Sequence, residues 1–107
     1  MEVFNASELK KTAEVWGSSK KIYQNSSKKI EIGLFSVDPK KSMTMHEHND
    51  ADEFIFILDG EASFTVDEKE ISLGKGSAIL IPKEMRHKAF NNNEKTNLCL
   101  YIVCPLE

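Results

Sequence analysis

The chain has 107 residues, of which 40% are hydrophobic and 29% charged, and its formal net charge is −3. That size and balance suit one globular domain over residues 1–107 and exclude a disordered chain. The acidic balance argues against a nucleic-acid partner, which wants a basic face, and no run approaches the ~18 apolar residues of a membrane span. The N-terminus has no basic stretch followed by an apolar one, so the expected location is the cytoplasm.

Ser7 is placed to cap a short helix carrying Leu9, Ala13 and Trp16 on one face, ended by Gly17-Ser18-Ser19. Everything after it reads as strands and turns. Lys29 to Phe35 alternates and turns at Asp38-Pro39; Met43 to His48 is read as a strand, and Asn49 to Asp52 as a turn. Phe54 to Leu58 is a strand that stops at the hairpin signal Asp59-Gly60. Ala62–Val66 and Ile71–Leu73 flank the tight turn Asp67-Glu68-Lys69. Gly74-Lys75-Gly76 leads into Ala78–Ile81, which Pro82 halts; Arg86–Phe90 and Leu98–Cys104 are the last strands, with a loop at Asn91-Asn92-Asn93 between them. Many short strands with turns every eight to twelve residues or so indicate an all-β sandwich or barrel. Lys20-Lys21, Lys28-Lys29 and Lys40-Lys41 read as solvated faces. Cys99 and Cys104 lie on opposite faces of one strand and read as small buried apolar residues rather than a disulfide.

His46 and His48, one residue apart on an extended segment, present their imidazoles to the same side. The turn at Asn49–Asp52 allows Glu53 to open the next strand pointing back at them, and His87 follows Pro82 much later. Three imidazoles and a carboxylate make a nitrogen/oxygen donor set suited to one divalent transition metal (Fe, Mn, Ni, Co or Zn) rather than to calcium. An octahedral ion so held keeps two positions open for a ligand. Ser42, Thr44, Ile55, Ile57 and Ala89 share the donors' parity and are expected to line the cavity. That wall has no cation for a phosphorylated substrate.

Two motifs carry a family resemblance. His46-Glu47-His48, four residues, Glu53, six residues and Gly60 resembles the first cupin motif, G(X)5HXH(X)3–4E(X)6G. Gly76, five residues, Pro82-Lys83-Glu84, two residues, His87, three residues and Asn91 resembles the second, G(X)5PXG(X)2H(X)3N. Lys40 and Glu84 stand where the family has turn glycines; no donor is lost. The resemblance implies a single cupin β-barrel (a double-stranded β-helix, or jelly roll), preceded by the short N-terminal helix read above, and a metal on His46, His48, Glu53 and His87. It implies a small-molecule metalloenzyme, dioxygenase-like first and isomerase or lyase second. A non-catalytic ligand-binding or sensor cupin is the alternative, and an assembly or storage protein a third reading. No catalytic general base is identifiable from the sequence. Glu53 argues against the thiol-dioxygenase branch, which uses three histidines alone.

Phe54, Phe56 and Leu58 have the opposite parity to Glu53 and so face outward, and the Leu98–Cys104 strand is apolar on both faces. The expectation is a homodimer covering this outer surface, with Tyr101 and Val103 extending it and the N-terminal helix covering part.

Overall fold

The alternating segments become nine strands in the computed structural model, which describes residues 1–106. They are β1 (Thr12–Glu14), β2 (Gly17–Asn25), β3 (Ile30–Val37), β4 (Asp52–Asp59), β5 (Glu61–Val66), β6 (Lys69–Gly74), β7 (Ala78–Ile81), β8 (His87–Phe90) and β9 (Leu98–Cys104). One sheet has the order β1-β2-β3-β9-β4-β7 and the other β6-β5-β8, with every pairing antiparallel. The two sheets form the jelly-roll barrel, and the core lies between them. Phe35, Ile55, Ile57, Ile81 and Cys99 come from the larger sheet, and Ala62, Phe64 and Ala89 from the smaller. Burial pushes the Cys99 thiol up to about 12, so it behaves as a small apolar residue, whereas Cys104 is only partly buried.

The N-terminal helix is not formed as the sequence suggests. A 3-10 turn spans only Ala6–Glu8, capped by the Asn5 side chain rather than by Ser7. Ala13 then lies in β1, and Gly17-Ser18-Ser19 opens β2 instead of ending a helix. Two turns of isolated helix gain little by themselves, and sheet pairing with β3 outweighs the helical spacing of Leu9, Ala13 and Trp16. The expected strand at Met43–His48 is also not regular. It is an extended segment stitched to β8 by bridges at Ser42–Phe90 and His46–His87.

Register sets what each face carries. On the inner face, Glu31, Val103, Glu53 and Ile81 stand in one row across β3, β9, β4 and β7. The next inner row is Gly33, Tyr101, Ile55 and Ile79. Tyr101 and Val103 therefore do not extend the outer surface. Outside, one row runs Tyr23, Ile32, Ile102, Phe54 and Leu80, and the next runs Lys20, Leu34, Leu100, Phe56 and Ala78. The N-terminal segment covers only the β2 end of this face: Phe4 packs edge-on against Tyr23 at 6.0 Å, and Lys20 Nζ donates to the Ala6 carbonyl.

Gly33 is required where it stands. A Cβ there would lie 2.6 Å from Tyr101 Oη and 2.5 Å from the Lys20 carbonyl oxygen, so only glycine lets the tyrosine ring cross β3. Two buried asparagines tie down the end of β3. Asn97 accepts from the Val37 N–H at 2.9 Å, and Asn91, the last residue of the second motif, donates to the Val37 carbonyl at 2.8 Å. These side chains give the Val37 backbone groups close partners where the strand leaves the sheet; the carbonyl otherwise has only a longer contact, 3.4 Å from the Asn97 N–H.

Lys40 and Glu84 adopt the left-handed conformation that the family's glycines supply, with φ of 63° and 69°. Glu84 holds it while donating its amide to the His48 carbonyl at 2.6 Å. A residue with a Cβ loses ~1–2 kcal/mol in that region, while glycine costs ~0.5–1 kcal/mol of chain entropy. Glu84→Gly is therefore expected to stabilise the protein by about 0.5–1 kcal/mol, read as a rise of a few degrees in the unfolding midpoint. A lowered midpoint would show that the Glu84 side chain holds this turn in a way its backbone does not reveal.

Candidate metal centre

The loop Lys41–His48 is fixed by its backbone rather than by a regular ladder. Met43 N–H donates to Ala89 O at 2.9 Å and Asn91 N–H to Lys41 O at 2.9 Å. At its far end, His46 N–H donates to His87 O at 2.9 Å and His87 N–H returns to His46 O at 2.8 Å. Such a reciprocal antiparallel pair projects both side chains to the same side. The two imidazole centroids lie 4.3 Å apart, with His48 at 5.7 and 5.6 Å from them. Glu53, the second residue of β4, enters from the larger sheet, and its Oε1 lies 2.9 Å from His87 Nε2 and 3.3 Å from His48 Nε2. One donor atom from each of the four residues falls within 4.8 Å of the other three.

The imidazoles are oriented from behind. His46 Nδ1 is 2.9 Å from the Thr44 carbonyl and His87 Nδ1 is 2.9 Å from the Met85 carbonyl, so Nδ1 carries the proton and donates in each. This leaves the Nε2 lone pairs facing the cluster. At His87 that lone pair meets a carboxylate oxygen at 2.9 Å, a contact that needs a cation, either a proton or a metal ion, to be attractive. The donor set therefore fits a divalent metal ion.

Electrostatics give the same picture. Burial alone would raise the Glu53 carboxyl, but with protons in place of a metal ion on the facing imidazole nitrogens, hydrogen bonds and charge from His48 and His87 hold it down at about 2, so it is ionised although only 8% exposed. Burial lowers the His46 pKa and keeps that ring neutral, whereas the hydrogen bond to Glu53 raises that of His48.

The cluster sits in the wall of a cavity of about 400 Å³. Of the residues expected to line it, Thr44, Ile55 and Ala89 do so. Ile57 lies fully buried in the core, and Ser42 is exposed outside the cavity wall with its hydroxyl donating to the Met43 carbonyl. Sequence reasoning missed Trp16, Glu31, Phe35, Phe64, Tyr101 and Val103, which complete much of the wall. Glu31 and Tyr101 were findable, since both lie in the inner rows that parity from Glu53 generates once β9 is paired with β4. No lysine or arginine lines the cavity among the described residues. Tyr101 Oη donates to Glu31 Oε2 at 2.6 Å, and burial together with that carboxylate pushes the phenol's pKa up, so it keeps its proton.

Comparison with known proteins agrees with this architecture. The tetracenomycin polyketide synthase protein TcmJ of Streptomyces glaucescens is 23% identical over 75 residues, covering 70% of this chain and 50% of that one. The chain spans about half the length of the curated relatives it matches. A predicted oxalate decarboxylase from Thermotoga maritima superposes with a TM-score of 0.85 at 18% identity, covering 98% of this chain and 100% of that one. KdgF from Halomonas sp. superposes at 0.82 with 15% identity, over 100% and 96%. These likenesses concern the fold. The family model described as cupin domain matches residues 33–104, a span that holds all four clustered donors, and the chain belongs to the cupin family.

Proposed function

We propose that this chain is a metal-dependent cupin enzyme acting on a small, oxygen-bearing chelating molecule, with one divalent transition metal on His46, His48, Glu53 and His87. The observation that carries this reading is the convergence of four donors, two of them with Nδ1 pinned to backbone carbonyls, on a largely apolar cavity. A bound ion supplies a Lewis acid that polarises a chelating oxygen and, where redox-active, an electron source for oxygenation. The chain's own residues do the rest. Ile55, Phe64 and Ala89 exclude water, and the Thr44 and Met85 carbonyls keep His46 and His87 in the donating tautomer.

Dioxygenase-like chemistry comes first and isomerase or lyase chemistry second. The cavity lacks the cation that a phosphorylated sugar would require, which disfavours the isomerases acting on such substrates. Relatives named as polyketide synthase proteins are consistent with a small oxygenated substrate. Oxygen consumption by the Fe(II) form across a panel of small chelating metabolites tests the catalytic reading. Binding without turnover by any metal form would favour a ligand-binding or sensor cupin instead. The proposed setting is cytoplasmic; among the described residues no helix is long and apolar enough to cross a membrane.

Elemental analysis should find one metal per chain in the wild type and little in His46→Ala/His48→Ala. Glu53→Gln should weaken binding while the far-ultraviolet spectrum stays that of the folded barrel. Protons compete for the imidazole lone pairs, so affinity should fall as pH drops through ~6.5, with His48 taking its proton first because its pKa is raised. Stoichiometric metal in the double variant would overturn the assignment.

The same proposal includes a homodimer formed through the outer face of the larger sheet. Phe54 is 39% and Leu80 52% exposed in one continuous apolar row, and the N-terminal segment reaches only β2. Monomers seldom leave such a patch uncovered. Light scattering at micromolar concentration should report about twice the 12.1 kDa chain mass, and Phe56→Glu should shift it toward monomer. A wild-type mass of one chain would contradict this.

A further inference from the structure

We infer that Glu31 and Tyr101 form a second polar pole of the cavity, one that accepts hydrogen bonds and so selects ligands with a hydroxyl or amine donor at the end away from the metal donors. The inference rests on the metal-centre reading above and adds to it the class of molecule the site takes.

The placement follows from register. Glu31 shares an inner row with Glu53, with β9 between their strands, so two strand spacings, about 9–10 Å, separate the two backbone positions. Tyr101 belongs to the neighbouring row, and its ring lies over Gly33, where any Cβ would collide with it. From there its hydroxyl reaches Glu31 Oε2 at 2.6 Å. The remaining Glu31 oxygen meets Lys21 Nζ at 3.6 Å, a loose and largely exposed contact that leaves lone pairs to spare. The lysine is not among the residues that line the cavity, whereas Glu31 and Tyr101 both are.

The chemistry of this pair is one-sided. A phenol has a single proton, and here it is spent on the carboxylate. What remains for a ligand is the lone pairs of Tyr101 Oη and of the Glu31 carboxylate. A hydroxyl or amine donor finds partners there. A carboxylate or phosphate placed against this pair meets acceptors, and the one cation near it, Lys21, is engaged with Glu31 from outside the wall. Val103 stands between Glu31 and Glu53 in their shared row, and Ile55 and Phe35 extend the apolar wall beside it. A ligand matched to this cavity has a chelating oxygen end, a flat or compact apolar middle and a neutral or cationic donor at the far end.

Three catechols share one chelating end and differ at the other: 3,4-dihydroxybenzyl alcohol, 4-methylcatechol and 3,4-dihydroxybenzoate. Their binding to the Zn(II)-loaded protein, measured anaerobically by calorimetry, separates the possibilities. Wild type should bind the alcohol about tenfold more tightly than 4-methylcatechol, and the benzoate most weakly. In Glu31→Leu/Tyr101→Phe the ratio of alcohol to 4-methylcatechol should fall to near one, with 4-methylcatechol itself unchanged. Glu31→Gln keeps the side chain's size and serves if the double variant does not fold. Its amide can donate to the tyrosine, freeing the phenol proton, so the benzoate should bind more tightly than in wild type. A wild type that does not distinguish the alcohol from 4-methylcatechol, or variants that keep the wild-type ratios, would overturn the inference and leave the metal centre standing. Failure of all three catechols to bind the zinc form would overturn the reading of the site as one that takes a chelating ligand, and this inference with it.

Discussion

The reciprocal pair of backbone hydrogen bonds between His46 and His87 is the contact on which the candidate site depends. It joins two segments 41 positions apart in the sequence and aims both imidazoles to one side, which neither segment could do alone. Everything else in the cluster is arranged about it. The Glu84 amide holds the His48 carbonyl, Asn91 anchors the end of β8 to Val37, and the β4–β9 register brings Glu53 in from the opposite sheet. The loop before β4 has no ladder of its own, so these tethers take the place of one.

The same arrangement creates an electrostatic demand. A buried carboxylate is costly unless paired, and here it faces imidazole nitrogens whose Nδ1 protons are already committed to backbone carbonyls on two of the three rings. A cation between Glu53 and His87 resolves this, and a divalent ion resolves it for all four groups together. The cavity beside the cluster is mostly apolar, with Glu31 and Tyr101 as a second polar group in its wall. On the proposed reading, a ligand would be held by coordination at the four donors and by hydrogen bonding at Glu31 and Tyr101.

Much of this was legible in the sequence because spacing and parity are local properties. His46 and His48 lie one residue apart on an extended segment, turn residues redirect the chain before Glu53, and β4, β5, β7 and β9 each alternate or run apolar between clear turn signals. The failures have physical causes. β2 contains only Ile22 and Tyr23 as large apolar residues, and a register shift between Lys21 and Tyr23 breaks its alternation, so no period marks it. The helical spacing of Leu9, Ala13 and Trp16 was real but described no helix, since pairing with β2 and β3 decided that segment. The sequence puts Tyr101 and Val103 on the wrong face because β9 is apolar on both, and such a strand carries no signal of which side is the interior. Only the pairing with β4 settles it. Once settled, it also moves Glu31 into the site.

The central claim is that these four side chains bind one divalent ion together. X-ray absorption at the metal edge of the loaded protein tests it most directly, because it reads the donor atoms rather than an affinity. The account predicts a nitrogen/oxygen shell with the multiple-scattering signature of three imidazoles and no sulfur. A shell of oxygen alone, or one containing Cys104 sulfur, would contradict it.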